Sequence, residues 1–383
     1  MIDEETARIY QQEGLRWTES RSAMHSRAVE WINAERRSGP ILDLGTGPGW
    51  HLALCRAPAV GVDIASAMLE LARTRTDHPL VNASAGRLPF GRQTVGGAIA
   101  SRVYNHLHLT DNPMALADLH RCLQPGAPVL FHFLGFPDGI RLETGEEGAD
   151  SPGETDNQGG TDSLHVGFDT RSGPPFAGRL SSLWTETGLA DLMEGAGFEI
   201  MTTESDAGGG RVLQARRRFS LPDTVGADMR LLICGLNPSP TAAEMGVGFG
   251  RPGNRFWPAA TAAGLVTVDR DPFHALYHHG LGMTDLVKRT TRRAADLTVD
   301  EYRNGLARVE RLVRWLQPGA VCFVGLAGWR VAVDRAAVAG RQEIEIGGRP
   351  VYVMPSTSGL NANSRLDDLI EHLRAAAKLA AQG

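Results

Sequence analysis

The stretch RLLICGLNPSP, Arg230 to Pro240, decides how the second half of this chain is read. Leu231–Cys234 is an unbroken apolar run, as expected of a strand covered on both faces. The run breaks at Gly235 and delivers Asn237 and Pro238 onto a loop, where open α/β sheets carry their ligands and chemistry. The residue placed there is an uncharged, unreactive amide. Outward from it the alternation of strand-like and helical patterns continues through NRFWPAATAAGL, GLGMTDLV, the helical VDEYRNGLARVERLVRWLQP, AVCFVGL and RPVYVMPSTSGL, closing in a helix from about Leu366.

The first half shows the same alternation. PILDLG, AVGVDI, GGAIAS and PVLFHFLG read as strands, with helical SAMLELARTR and MALADLHRCL between them. LSSLWTETGLADLMEGAGF reads as a helix, and EIMTT and RVLQARRRF as strands that finish the unit near residue 220. The stretch 139–175 is poor in apolar residues and rich in Gly, Asp, Glu and Ser, so a flexible insertion is expected. SLPDTVGADM reads as a linker. The expected organisation is two three-layer α/β/α domains, residues 1–221 and 222–383, with no internal repeat.

A length of 383 residues exceeds one ordinary core, and 42% hydrophobic with 22% charged residues is a globular composition. No apolar run approaches the ~20 residues of a membrane helix, and the acidic N-terminus does not resemble a signal peptide, so a cytoplasmic location is expected. Cys55, Cys122, Cys234 and Cys322 are scattered without a C-x-x-C pair and read as buried thiols rather than metal ligands. Of the 39 Lys+Arg and 44 Asp+Glu, residues 223–383 hold 19 and 16, leaving 20 and 28 to the rest: +3 against −8. An acidic half joined to a mildly basic one fits two units with different partners.

LDLGTGPGW sets Gly45, Gly47 and Gly49 directly after a strand carrying Asp43, and Asp63 ends the next strand in VGVDI. Glycines let the backbone turn and approach a ligand, and a carboxylate about 20 residues on can accept from ribose hydroxyls. With AGRLPF (Ala85–Phe90) and LHRCLQPGAPVLF (Leu119–Phe131), this order resembles the class I S-adenosylmethionine-dependent methyltransferases over about residues 20–220. The resemblance implies a Rossmann-like, seven-stranded domain with the cofactor bound at Asp43 and over Gly45–Gly49, Asp63 on the ribose, and Ser84 and Ala85 beside the adenine. Ser84 and Gly96 stand where that family usually has acids. His106 and His108 are open between acid/base groups and ordinary polar helix-end residues.

GLNPSPTAAEMGVGFGRPGNRFWPAATAAGL, GMTDLVKRTTRRAADLT and VMPSTSGLNAN, in that order, resemble the mismatch-specific uracil and thymine DNA glycosylases of the uracil-DNA glycosylase superfamily. The resemblance implies a repair enzyme that hydrolyses the glycosidic bond of uracil, thymine or a damaged pyrimidine opposite guanine in double-stranded DNA, without metal or cofactor. Such a bond releases a stabilised base anion, so an amide that orients water suffices and a nucleophile is unnecessary. Asn237 would hold that water, Phe256 would stack on the extruded base and Leu360 would fill the gap in the duplex. Gly359 and Asn361 would read the orphaned guanine through their backbone, and Ser358 would hold a phosphate. Asp285 stands where relatives place Asn or Lys, Ala242 resembles the thymine-tolerant branch, and Ser356 replaces an Asn or His. Arg289, Arg292 and Arg293 form a candidate phosphate-facing cluster. The rival reading makes methyl transfer the main activity, with the second domain as its targeting module.

Overall fold

Residues 3–17, 25–135, 166–172, 177–206 and 209–382 are described by a computed structural model of the chain. Its contacts divide into two units, Met1–Met193 with Phe198–Arg218, and Phe219–Gly383 with Glu194–Gly197.

In the first unit the chain runs through helices α1 (Glu4–Trp17) and α2 (Ser26–Glu35), strands β1 (Ile41–Leu44) and β2 (Ala59–Asp63), and helix α3 (Ser66–Ala72). Strands β3 (Leu80–Asn82) and β4 (Gly97–Ser101), helix α4 (Asn112–Cys122) and strands β5 (Pro128–Phe133), β6 (Gly167–Arg171) and β7 (Leu180–Trp184) follow. Helix α5 (Glu186–Gly195) and strands β8 (Phe198–Ser205) and β9 (Arg211–Arg217) complete it. Seven strands form one sheet in the order β3-β2-β1-β4-β5-β9-β8, all parallel except β9, which runs antiparallel to both β5 and β8. Ile41, Ala59, Ile99, Leu130 and Val212 share a core cluster with Ala28, Val29 and Ile32 of α2. Every residue of β1 and β5 is buried, so both sheet faces are covered.

Two expectations fail here. LSSLW is strand β7, not the start of a helix, and its partner β6 lies inside the stretch expected to be flexible. Polar bonding rather than apolar burial orders β6. Asp169 accepts from His108 Nδ1 at 2.9 Å, from Ser182 Oγ at 2.6 Å and from the Leu109 amide at 3.2 Å. Residues 139–165 and 173–175 of that stretch lie outside the described residues.

The second unit comprises β10 (Leu231–Gly235), α6 (Pro240–Met245), α7 (Phe256–Ala262), α8 (Pro272–His279), β11 (Leu281–Asp285), α9 (Val299–Leu316), β12 (Ala320–Val324), α10 (Leu326–Ala332), β13 (Gly340–Arg341), β14 (Val351–Met354) and α11 (Leu366–Ala380). Its sheet order is β11-β10-β12-β14-β13, with only the short edge strand β13 antiparallel. Alternate residues Leu231 and Ile233, Ala320 and Cys322, and Tyr352 and Met354 join α7 and α11 in one core. Leu232, Cys234, Val321, Phe323, Val351 and Val353 are buried as well, so the opposite face is also covered. Because β10, β11, β12 and β14 are parallel, the loops after them gather at one edge of the sheet.

Candidate functional site

At that edge the register pairs Gly235 with Asp285, the last residues of β10 and β11. A side chain at position 235 would collide with Asp285 Oδ1 and come within 3.3 Å of Phe249 Cζ. Glycine therefore makes the floor on which a carboxylate and an aromatic ring converge. Phe249 adopts φ 57°, a left-handed conformation rare for a bulky side chain. The half-buried Asp285 carboxylate accepts no hydrogen bond among the described residues. Burial pushes its pKa up to about 6, against the pull of Lys288 and Arg308.

Those two cations belong to a buried network behind the floor. Asp223 accepts from Lys288 Nζ at 2.7 Å, Arg308 NH1 at 2.8 Å and Thr284 Oγ1 at 2.7 Å. Burial alone would raise the Asp223 pKa, but Arg308 and Lys288 hold it below the usual carboxylate range. Arg308 also donates to the Asp285 carbonyl at 2.7 Å, which fixes the backbone that carries the free carboxylate.

Asn237 is held by its amide nitrogen. Nδ2 donates to Thr291 Oγ1 at 2.8 Å, to the Arg289 carbonyl at 3.0 Å and to the Pro238 carbonyl at 3.3 Å. Carbonyl oxygens can only accept, so the amide orientation follows from chemistry. Oδ1 is then left as the side chain's hydrogen-bond acceptor. Thr291 is itself fixed, its amide donating to the Pro238 carbonyl at 3.1 Å and its hydroxyl to the Arg293 carbonyl at 2.9 Å.

Phe256 is not where the resemblance implied. It is fully buried in the core with Trp257 and stacks beneath Phe249, ring centroids 4.4 Å apart. With no exposed face it cannot meet a base; the half-buried Phe249 is the ring beside Gly235 and Asp285. Leu360, by contrast, is 83% exposed on the loop after β14, although it is apolar. Arg255 clasps that loop through the carbonyls of Ser358 at 3.0 Å, Asn361 at 2.8 Å and Ser364. Gly359 packs so closely on Gly253 that a side chain would come within 2.8 Å of its carbonyl oxygen.

Asn361 is spent on the loop itself. Its amide donates to the Ser356 carbonyl at 2.8 Å, its backbone N–H to the Ser358 carbonyl at 2.9 Å, and its own carbonyl takes Arg255. Ser358 Oγ accepts from the Leu360 amide at 3.3 Å. Of the arginine cluster, Arg289 is bound to Glu301 and Arg293 to Asp296. Two of the three charges are thus already compensated.

In the first unit a pocket is lined by Gly45, Thr46, Gly47, Pro48, Asp63 and Ala85, among others. A Cβ on Gly47 would meet only the Gly45 carbonyl, at 4.0 Å, so the loop leaves a cradle there. Asp63 braces the cradle, accepting from the Gly47 and Ala65 amides at 2.9 Å each. Burial pushes its pKa up to about 6. Apolar Val62, Ile64, Met68 and Ala83 complete a slot of the kind a nucleoside occupies.

Three expected ligands stand elsewhere. Asp43 is buried beneath the loop and receives Thr46 Oγ1 at 2.7 Å, while Gly49 packs on Ala72; neither lines the pocket. Ser84 turns its hydroxyl to the Gly86 amide at 3.1 Å. Conversely, α1, which lies before the stretch that carries the resemblance, contributes Thr6, Ala7 and Tyr10 to the lining. Tyr10 Oη lies 2.9 Å from His106 Nε2, and the ring's Nδ1 lies 2.7 Å from the Leu180 carbonyl. Burial lowers the His106 pKa to about 4, so this pocket histidine is neutral. His108, paired with Asp169, does not line the pocket.

Comparison with known proteins separates the halves in the same way. Residues 222–379 match the Uracil DNA glycosylase superfamily, and residues 42–131 match a family described as Methyltransferase domain. Among solved structures, the chain is similar to a SAM-dependent methyltransferase from Methanosarcina mazei, with 19% identity, 52% of this chain and 99% of that one covered, and a TM-score of 0.37. It is similar to CalS10, an amino pentose methyltransferase from Micromonospora echinaspora, at 22% identity, 54% and 95% coverage and a TM-score of 0.38. A third is the 1,6-didemethyltoxoflavin-N1-methyltransferase of Burkholderia thailandensis, at 20% identity, 55% and 84% coverage and a TM-score of 0.36.

Proposed function

We propose, for a chain that joins a methyltransferase domain to a domain of the uracil DNA glycosylase superfamily, that the second unit excises uracil or a related pyrimidine opposite guanine from double-stranded DNA. The observation that carries this reading is Asn237, clamped by three acceptors so that Oδ1 faces outward, beside a floor shared by Phe249 and an unpaired Asp285 carboxylate. A flipped base stacks on Phe249. Asn237 Oδ1 accepts a hydrogen bond from the attacking water. Ionised Asp285 takes that water's proton and opposes the positive charge growing on the sugar, while the base departs as an anion. Leu360 enters the duplex and occupies the vacated space, at a stacking cost of a few kcal/mol that the wedge offsets. The Gly359 peptide would contact the orphaned guanine. Because water and not an amine attacks the sugar, no Schiff base forms and the product is an intact abasic strand.

The first unit fits S-adenosylmethionine. Gly45–Pro48 would cradle it, Asp63 would face the ribose, and Ala83 and Ala85 would flank the adenine; when bound, it supplies an electrophilic methyl group. A second reading, methyl transfer as the main activity with DNA recognition in the service of targeting, is favoured by this pocket alone.

Duplexes carrying one G·U, G·T or A·U pair, assayed for alkali-sensitive sites, test the first reading. The full chain should cleave G·U in preference to A·U, and Asn237→Ala should slow excision by about 10²-fold or more. Inactivity of the wild type on all three duplexes would reject it.

A further inference from the structure

Beside the cofactor pocket lies a chain of hydrogen-bonded side chains. His132, on β5 with a fully buried side chain, places Nε2 2.8 Å from Asp206 Oδ2. Its Nδ1 lies 3.1 Å from His25 Nε2. Arg102 NH2 donates to the same Asp206 oxygen at 2.9 Å, and the Gly210 amide to Asp206 Oδ1 at 2.7 Å. A side chain at Gly210 would crowd both Asp206 Oδ2 and His132 Nε2, at 2.7 and 2.8 Å, so glycine leaves room for the pair. His25 and Arg102 both sit in left-handed backbone, at φ 63° and 57°, a strain that non-glycine residues rarely carry. Arg102 lines the cofactor pocket, as does His51, on which His25 stacks with centroids 6.3 Å apart.

The direction of the hydrogen bonds follows from the anion at one end. A carboxylate only accepts, so His132 Nε2 carries its proton toward Asp206 and Nδ1 is left as an acceptor. The Arg102 Nε approach to that same Nε2, at 3.4 Å, is the longer and weaker contact. His25 must then donate from Nε2, which leaves its Nδ1 as a lone pair. That atom has no partner among the described residues.

We propose that His25 is the base of the methyl-transfer site, its Nδ1 accepting a proton from an acceptor N–H or O–H while His132 and Asp206 position it. This rests on the reading of the neighbouring pocket as a site for S-adenosylmethionine. In the step, the acceptor's lone pair bonds to the sulfonium methyl carbon and the carbon–sulfur bond breaks, its electron pair staying on sulfur. The acceptor's proton passes to His25 Nδ1 and later leaves to solvent. Charge balance suits this. Arg102 and Asp206 cancel, both histidines are neutral at rest, and the imidazolium formed at His25 is connected through His132 to Asp206. Burial, then His51 and Arg102, lower the His25 pKa, while Asp206 and Glu204 raise it. The acceptor class is therefore a nucleophile that must shed a proton, such as an amine or hydroxyl, rather than a thioether or tertiary amine.

The test needs no acceptor. Histidine imidazole resonances of the full chain, with His25 identified through His25→Gln, would be followed against pH with S-adenosylmethionine or S-adenosylhomocysteine bound. The expected result is a neutral His25 at pH 7 with its proton on Nε2. Its titration midpoint should lie at least about half a pH unit lower with the cationic sulfonium than with the uncharged product. His132→Phe should abolish the tautomer preference without weakening S-adenosylhomocysteine binding in calorimetry. A proton on Nδ1, an imidazolium at pH 7, or equal midpoints with both ligands bound would overturn the proposal. Failure of both ligands to bind the wild type would instead remove the cofactor reading beneath it.

Discussion

Asn237 shows how a residue's neighbours decide what it can do. Read in sequence, it is an amide on a strand-end loop; in the structure, two carbonyls and a hydroxyl take its N–H groups and leave one acceptor facing out. Its position was legible because Leu231–Cys234 is a buried run broken by glycine. The aromatic was not, because a sequence ending GNRFW offers Phe249, Phe256 and Trp257 without saying which is exposed. Replacing Phe249 by Ala should weaken excision about tenfold or more, on the scale of ~1–3 kcal/mol for one base stack. Phe256→Leu should leave excision intact and lower thermal stability, as a core substitution. Asp285 should carry the pH dependence of excision. Its pKa in the fold, about 6, lies above the usual carboxylate value, so the ionised, base-competent form appears as pH rises through about 6. Excision should climb over that range, and Asp285→Asn should flatten the profile and cost about 10²–10⁴-fold at the plateau. The same sign makes the ionised group a burden on the fold. Stability attributable to Asp285 is greatest below pH 4 and declines toward pH 6, so Asp285→Asn should raise the melting temperature at pH 7.5 more than at pH 4.

Among the elements, the long periodic ones declared themselves. Helix α9 begins at Thr298 with Glu301 three residues on, a reciprocal cap that the sequence spells out. Helix α8 carried signals just as plain, Asp271 before Pro272 and Gly280 after His279, but is only eight residues long. Strand β7 was hidden because LSSLW precedes a true helix and its partner β6 is polar, ordered by Asp169 rather than by apolar burial. The clamp of Arg255 on the loop carrying Leu360 joins segments about a hundred residues apart, which no local pattern reveals. Arg255→Met should preserve the core but release three carbonyls. Amide exchange over residues 356–364 should quicken and G·U excision should fall about tenfold or more, whereas an unchanged exchange rate would show that Arg255 does not hold the loop.

Across the whole molecule, two sheets of different order each bury both faces and each offer a candidate site at the ends of parallel strands. Ordered motifs made the two sites visible in sequence, since glycine loops and strand-end residues are local. Their walls were less visible: α1 closes over the first pocket, and the network of Asp223, Lys288 and Arg308 supports the second from behind. None of the described helices is long and apolar enough to cross a membrane. Glycosylase chemistry centred on Asn237 should reside in the second unit by itself. The most direct measurement is single-turnover excision from a G·U duplex by the full chain, by a fragment of residues 219–383, and by Asn237→Ala in each. Comparable rates are expected for the full chain and the fragment, with loss of about 10²-fold or more in both variants. Equal rates for wild type and Asn237→Ala, or excision that vanishes in a folded fragment, would contradict this assignment.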